Sequence, residues 1–118
     1  MLATTVSAML LAAAAAVGID FDLRQPAPPL AELQLCFRGT GQRVRFELQL
    51  VTLGPAGRSR SRQSGQLLAR EQPVCPLRNS VRLPGASQVE ARLRWWVDGV
   101  EQTPETRALR LGQAGNAT

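Results

Sequence analysis

The stretch "RVRFELQLV", Arg43 to Val51, alternates polar and apolar side chains residue by residue. Successive side chains of a β-strand point to opposite faces, so this alternation predicts a strand with one face on a core and the other in water. The core-facing set is Val44, Phe46, Leu48 and Leu50, and the solvent-facing set is Arg43, Arg45, Glu47 and Gln49. No long segment of helical period competes with it between Leu30 and Leu111, so the pattern favours an all-β fold.

Other runs of the same period flank this strand. The run "VEARLRWWV", Val89 to Val97, turns Trp95 inward and Trp96 outward. Further strands are predicted at 33–37, 77–83 and 100–111. Turn residues separate the runs at 39–41, 54–57 and 84–87, and Asp98-Gly99 is a type I′ hairpin signal. Six or seven short antiparallel strands within 30–111 predict an immunoglobulin-like, fibronectin III-like β-sandwich.

The segment from Arg58 to Ser64 is polar on both faces, so it is predicted to lie at the edge of a sheet rather than in its middle. Two interpretations of its alternating arginines stay open. The charges either keep the unpaired edge from recruiting other chains, or they let that edge engage an extended partner without further stacking.

The ends of the chain differ in composition from this domain. Residues 1–17 are uncharged and apolar or small, which predicts a cleaved export signal, although no Lys or Arg precedes its apolar part. Residues 18–29 carry Pro26, Pro28 and Pro29, and we expect a linker there, with a mobile tail at 112–118. The mature protein is expected in the periplasm, without a membrane anchor.

Composition limits the function classes. The 118 residues are enough for one domain. All 14 basic residues are arginine against nine acids, giving a net charge of +5 and an attraction to acidic partners. The chain has no histidine and no cluster with metal-ligand spacing, so we expect neither an enzyme nor a cofactor or metal site. Export and the single outward aromatic side chain argue against nucleic-acid binding.

A surface for acidic, extended polypeptides fits the residues best. Arg43 and Arg45 form one cationic patch with Arg92 and Arg94 if their two strands are neighbours. Arginines directly opposite each other would cost a few tenths to about 1 kcal/mol per pair. Trp96 is either an anchor for the partner or half covered by a neighbouring loop. The residues expected to contact the partner are Arg43, Arg45, Arg58, Arg60, Arg62, Arg92, Arg94 and Trp96.

The two cysteines, Cys36 and Cys75, leave two states open. In an exported chain they can form a disulfide, which stabilises by about 3 to 4 kcal/mol for a loop of this length. The alternating pattern places Cys36 on the polar face of its strand and Cys75 on the apolar face of its strand, so a disulfide needs a β-bulge or a pairing near strand ends. Otherwise both are free thiols; a catalytic role finds no support.

Over roughly 33–111 the chain resembles the small periplasmic inhibitors of curli amyloid assembly, the CsgH-like proteins related to CsgC. A Gly-x-Ser and Gln-Ser-Gly stretch, a strand of the type "EARLR" and a closing Asp-Gly turn carry the resemblance. The matching residues are Gly57, Ser59, Gln63, Ser64, Gly65, Glu90, Ala91, Leu93, Asp98 and Gly99.

This resemblance implies a seven-stranded, cofactor-free sandwich that holds a secreted amyloid subunit, of the curli major-subunit kind, unpolymerised. We expect a monomer that does so by transient electrostatic contacts. The alternative is a generic exported β-sandwich for binding or adhesion, without amyloid-specific activity. CsgC-type members carry a Cys-x-Cys motif that this chain lacks, so redox activity is not carried over.

Overall fold

The computed structural model describes residues 16–27, 30–55, 57–82 and 87–110. The predicted export signal up to residue 15 and the predicted tail lie outside these ranges. The described residues form strands and no helix, which confirms the all-β prediction. Seven of the eight described strands lie within 30–111, in agreement with the predicted six or seven, and the eighth precedes that range. They are β1 (Gly18–Arg24), β2 (Leu30–Arg38), β3 (Arg43–Gly54), β4 (Gly57–Leu68), β5 (Val74–Arg82), β6 (Gln88–Val97), β7 (Val100–Glu101) and β8 (Glu105–Arg110). Nothing in this part of the chain is a helix long and apolar enough to cross a membrane.

The strands form two antiparallel sheets. The small sheet has the order β1-β2-β5, and the large sheet has the order β4-β3-β6, with β7 and β8 both pairing with β6. β4 has β3 as its one neighbour in the described large sheet, which confirms the prediction that the segment Arg58 to Ser64 lies at an edge. The outer face of the large sheet is the face directed away from the small sheet.

The predicted linker at 18–29 is wrong over its first seven residues. These residues form β1, which pairs with β2 from Gly18 opposite Arg38 to Arg24 opposite Glu32. Phe21 in its centre is 5% exposed and belongs to the core. The prolines that suggested a linker begin only at Pro26, after the strand has ended, so they terminate β1 rather than prevent it.

The core lies between the two sheets and is built by the predicted alternation. β3 contributes its even-numbered residues and β6 its odd-numbered residues, so Trp95 is buried as expected. The Trp95 ring lies against Phe37, which in turn stacks on Phe46, joining the sheets. The fully or nearly buried members are Phe21, Leu33, Leu35, Phe37, Val44, Phe46, Leu48, Ala69, Leu77, Ala91, Leu93, Trp95 and Val97.

The hairpin between β6 and β7 has the predicted turn. Asp98 and Gly99 both have positive φ, 48° and 84°, as a type I′ turn requires. The Asp98 carboxylate also accepts a hydrogen bond from the Arg43 backbone N–H at 2.9 Å. The turn therefore holds the first residue of β3 in place and also sets the register of the β6–β7 hairpin.

Cys36 and Cys75 form a disulfide across β2 and β5. The pairing shifts at this point: Leu35 lies opposite Leu77 and Phe37 opposite Val74, so two residues of β5 face one residue of β2. This β-bulge brings the second cysteine to the face of the first, and it also accommodates Pro76, which has no backbone N–H to donate. The alternating pattern predicts that a disulfide between these cysteines needs a β-bulge or a pairing near strand ends, and the structure has the bulge.

Replacing both Cys36 and Cys75 with serine should lower the free energy of unfolding by about 3 to 4 kcal/mol, because the disulfide closes a loop of 39 residues in the unfolded chain. Urea unfolding followed by circular dichroism measures this. The double variant should show the same midpoint with and without reductant, whereas the parent protein should match it only in reductant. Equal midpoints for oxidised parent and variant would show that the bond does not constrain the unfolded chain.

Candidate functional site

The outer face of the large sheet brings together the arginines that the sequence predicted. β3 and β6 are paired neighbours, so the condition for one shared patch is met. The register places Arg45 opposite Trp96 and Glu47 opposite Arg94. No described pair of β3 and β6 sets an arginine against an arginine, so the repulsion considered from the sequence does not arise.

Trp96 lies under two guanidinium groups on this face. The Arg45 guanidinium carbon is 3.8 Å from the centre of the indole ring, and that of Arg94 is 5.0 Å from it. Trp96 is only 9% exposed. The sequence left open an exposed anchor or partial cover by a loop; the structure shows a third arrangement, in which the arginines themselves cover the ring by cation–π contact. A partner at this point meets Arg45 and Arg94 before it meets Trp96.

The same two arginines are held by acidic side chains. Arg94 lies 3.2 Å from Glu101 and 3.8 Å from Glu47, and Arg45 lies 3.6 Å from Glu47. These five residues, Trp96, Arg45, Arg94, Glu47 and Glu101, form what we call the Trp96 cluster. Its positive charge is therefore largely matched within the protein.

The edge strand β4 presents arginines of a different kind. Arg58, Arg60 and Arg62 are exposed, and none takes part in an ion pair with another described residue. The β3–β4 register puts all three on the outer face, because they lie opposite Leu53, Val51 and Gln49. By contrast, Arg92 on β6 is 2.8 Å from Glu90. Three of the five described outer-face arginines without an ion pair therefore lie along β4, and the other two, Arg43 and Arg110, lie singly on β3 and β8.

A concavity of about 480 Å³ lies beside these arginines. Its floor includes Val51 and Leu53 of β3, the latter 46% exposed. Arg58 and Arg60 stand on its β4 side. The other lining residues are Gln49, Gln88, Val89, Glu90, Arg92, Ala108, Leu109 and Arg110. We call this feature the arginine-rimmed concavity, since it combines an apolar floor with guanidinium groups at both sides.

A second depression, of about 570 Å³, continues the first along the outer face. The two share Gln49 and Arg92, and the second adds Arg62 and Ser64 of β4. Together they form a surface that crosses the sheet from β4 to β8, which suits an extended chain rather than a compact small molecule.

Arg43 stands apart from the other predicted contact residues. It begins β3 opposite Leu68, at the far end of the strand from Leu53 and the concavity. Its backbone carbonyl accepts a hydrogen bond from the Asp98 N–H at 2.8 Å. Of the eight predicted residues, the structure thus gathers Arg58, Arg60, Arg62 and Arg92 at the two depressions, places Arg45, Arg94 and Trp96 in the Trp96 cluster, and leaves Arg43 at the end of the face.

The sequence analysis did not predict the apolar floor of the arginine-rimmed concavity or the β8 residues on the side opposite β4. Val51 and Leu53 continue the odd-numbered face of β3, so parity alone was enough to place them beside Gln49. Arg110 and Ala108 join the face only because β8 pairs with β6, with Gln88 opposite Arg110. No local pattern indicates that pairing.

The described residues contain no group of three or more His, Cys, Asp or Glu side chains placed to hold a metal ion.

Comparison with solved structures gave the only matches. No family model and no curated protein matched the chain. The solution structure of CsgH from R. palustris superimposes with a TM-score of 0.56 at 22% identity, over 80% of this chain and 92% of that one. The curli protein CsgC from E. coli superimposes with a TM-score of 0.57 at 17% identity, over 79% and 97% of the two chains.

The protein has a CsgH- and CsgC-like fold. This confirms the resemblance derived from the sequence at the level of the fold. In this CsgH- and CsgC-like fold the outer face of the large sheet carries the two depressions and the Trp96 cluster.

Replacing Arg45 with Ala should expose Trp96, because the guanidinium group nearest the ring is lost. We expect a red shift of tryptophan emission, stronger quenching by acrylamide, and a loss of about 0.5 to 1 kcal/mol of stability. Arg43→Ala is the matched control: same strand, same face and same charge change, with no contact to the ring. Equal quenching in the two variants would contradict the packing described here.

Proposed function

We propose that this protein is an exported, chaperone-like inhibitor that keeps a curli-type amyloid subunit from polymerising before secretion. It acts in the periplasm, after removal of its export signal, by transient electrostatic contacts. The fold supports the proposal, since one of the solved structures that it resembles is a curli protein. The residues of the outer face supply the mechanism.

The observation that carries the proposal is the row of unmatched arginines beside an apolar floor. A guanidinium group that already pairs with a carboxylate must give up that pair to bind another, so its net gain is small. Arg58, Arg60 and Arg62 have no such partner among the described residues. An acidic client therefore gains charge-assisted hydrogen bonds from them without displacing an internal pair.

The apolar floor adds the second part of the interaction. Leu53 is an exposed large apolar side chain, and Val51 lies next to it on the same face. Amyloid subunits present apolar side chains when they are extended, and burial of each square ångström of apolar surface contributes about 25 cal/mol. The concavity is open to solvent, so we expect weak binding, and the arginines at its rim should speed association with an acidic client.

Weak binding is compatible with strong inhibition of nucleation. Nuclei of an amyloid are rare compared with monomers, so an inhibitor that engages early oligomers acts below equal stoichiometry. A monomeric inhibitor with a charged edge contacts such oligomers without becoming part of them.

We further propose that the fold is an immunoglobulin-like, fibronectin III-like sandwich. Strands one, two and five form one sheet while strands three, four and six to eight form the other. This antiparallel arrangement with a shared core between the faces supports that assignment.

A second candidate function follows from the same strand. Charged residues along an exposed edge also protect a protein from edge-to-edge aggregation, and β4 fits that role. The protein is then a generic exported binding or adhesion module, and the arginines serve its own solubility. The sign of the charge separates the two candidates, because edge protection needs charge of either sign whereas an acidic client needs positive charge.

Reversing the β4 charges in R58E/R60E/R62E should abolish inhibition. The edge keeps its protective charge, but an acidic subunit is now repelled. In a dye-binding polymerisation assay with a purified acidic curli-type subunit, the lag should return to that of the subunit alone.

The control variant is R38E/R78E/R82E, with the same net charge. These three exposed arginines lie on β2 and β5 of the small sheet. Its lag should remain close to that of the parent. Circular dichroism verifies that both variants are folded. If both variants lengthen the lag as the parent does, the β4 arginines have no part in inhibition and edge protection is the better account.

Raising the salt concentration should weaken inhibition. At about 0.1 M salt the screening length is about 10 Å, and at about 1 M it is about 3 Å. The lag extension, divided at each salt concentration by the lag of the subunit alone, should therefore fall steadily over this range. A constant ratio would rule out the electrostatic mechanism.

A further inference from the structure

β4 is the longest edge among the described strands. It has 12 residues, against nine in β5 and seven in β1. The β5 edge is interrupted by the bulge at Cys75 and Pro76, whereas the β3–β4 register runs from Gly54 opposite Gly57 to Arg43 opposite Leu68 without a shift. A continuous edge without a register shift is what an added strand needs.

The register shows which β4 backbone groups are free. Ala69 donates its N–H to the Gln42 carbonyl at 2.8 Å, one position beyond the last β3–β4 pair. Hydrogen-bonded pairs alternate along an antiparallel ladder, so the odd-numbered residues of β4 bond to β3. The even-numbered residues, Arg58, Arg60 and Arg62 among them, direct their N–H and C=O groups to the open edge.

The same three residues therefore offer two kinds of recognition. Their backbone groups face the edge, and their side chains lie on the outer face without an ion-pair partner among described residues. In an added antiparallel strand, the residue directly opposite each arginine exchanges both backbone hydrogen bonds with it. That residue also places its side chain on the arginine's face of the sheet.

We propose that an extended acidic segment of the client adds to β4 as an antiparallel strand, with Asp or Glu at every second position opposite Arg58, Arg60 and Arg62. The intervening client positions lie on the inner face, opposite Ser59 and Ser61, and are small and polar. That the client is an amyloid subunit rests on the proposed function, whereas the alternation of acidic residues in its segment rests on the β3–β4 register. Strand addition occupies the backbone N–H and C=O groups along one edge of the client segment. The client needs those groups to pair with further copies of itself in an amyloid.

Synthetic peptides test this pattern with the folded protein. The probe is the blocked heptapeptide Thr-Asp-Thr-Asp-Thr-Asp-Thr, and the matched control is the permuted peptide Thr-Thr-Asp-Asp-Asp-Thr-Thr of equal charge. At about ten times its dissociation constant, the alternating peptide should slow amide hydrogen exchange of Arg58, Arg60 and Arg62 by about tenfold. The permuted peptide should slow these amides much less.

Backbone methylation separates strand addition from simple charge attraction. Methyl groups on the Asp nitrogens of the alternating peptide remove the N–H groups that face β4 and should abolish the protection. Methyl groups on the inner Thr nitrogens face away from β4 and should leave it. Any other pattern, including equal loss from both or no protection by the unmethylated peptide, overturns the proposal.

This inference and the proposed function fail separately. If R58E/R60E/R62E loses inhibition while the peptide gives no protection of β4 amides, the client binds through side chains alone and the proposed function stands. If the peptide protects β4 amides but R58E/R60E/R62E still inhibits polymerisation, strand addition is real and inhibition of the amyloid has another origin.

Discussion

The pairing of β3 with β4 on one side and β6 on the other is the constraint on which the outer face depends. A strand alternates its side chains with period two, so a slip of one residue in either pairing would exchange the core and solvent faces of a whole strand. The core forbids such a slip, because Val44, Phe46 and Leu48 of β3 must remain between the sheets. Packing of the inner face thereby fixes which side chains meet on the outer face.

That arrangement separates two sets of outer-face arginines with different roles. Arg45 and Arg94 cover Trp96 and pair with Glu47 and Glu101, so they stabilise the surface locally. The β4 arginines lie on a strand with one neighbour and have no acidic residue opposite them. Positive charge that the protein does not use for itself is thus placed along the open edge, next to exposed apolar surface. The net charge of +5 alone does not reveal that some arginines are paired and others are not.

The sequence predicts those parts of the fold that depend on local pattern. The alternation of side chains predicts the faces of β3 and β6, and a segment that is polar on both faces predicts the edge position of β4. The pair Asp98-Gly99 predicts the turn between β6 and β7. β1 was missed because nearby prolines and acidic residues outweighed a short apolar alternation around Phe21. The cover of Trp96 and the partner strand of β8 depend on contacts between residues far apart in the chain, and no local pattern contains them. The bulge at Cys75 was indicated by the alternating pattern only on the condition that Cys36 and Cys75 are bonded.

The unmatched arginines of β4 and the adjacent apolar floor are the proposed contact surface for an acidic amyloid subunit. A titration of ¹⁵N-labelled protein with the unpolymerised, unlabelled subunit, followed by amide chemical shifts, tests this residue by residue. The account predicts that the largest shifts occur in β4 from Arg58 to Ser64 and at Val51 and Leu53, with little change in β1, β2 and β5. Shifts that centre on the small sheet, or a subunit that leaves every amide of β4 unchanged, would contradict it.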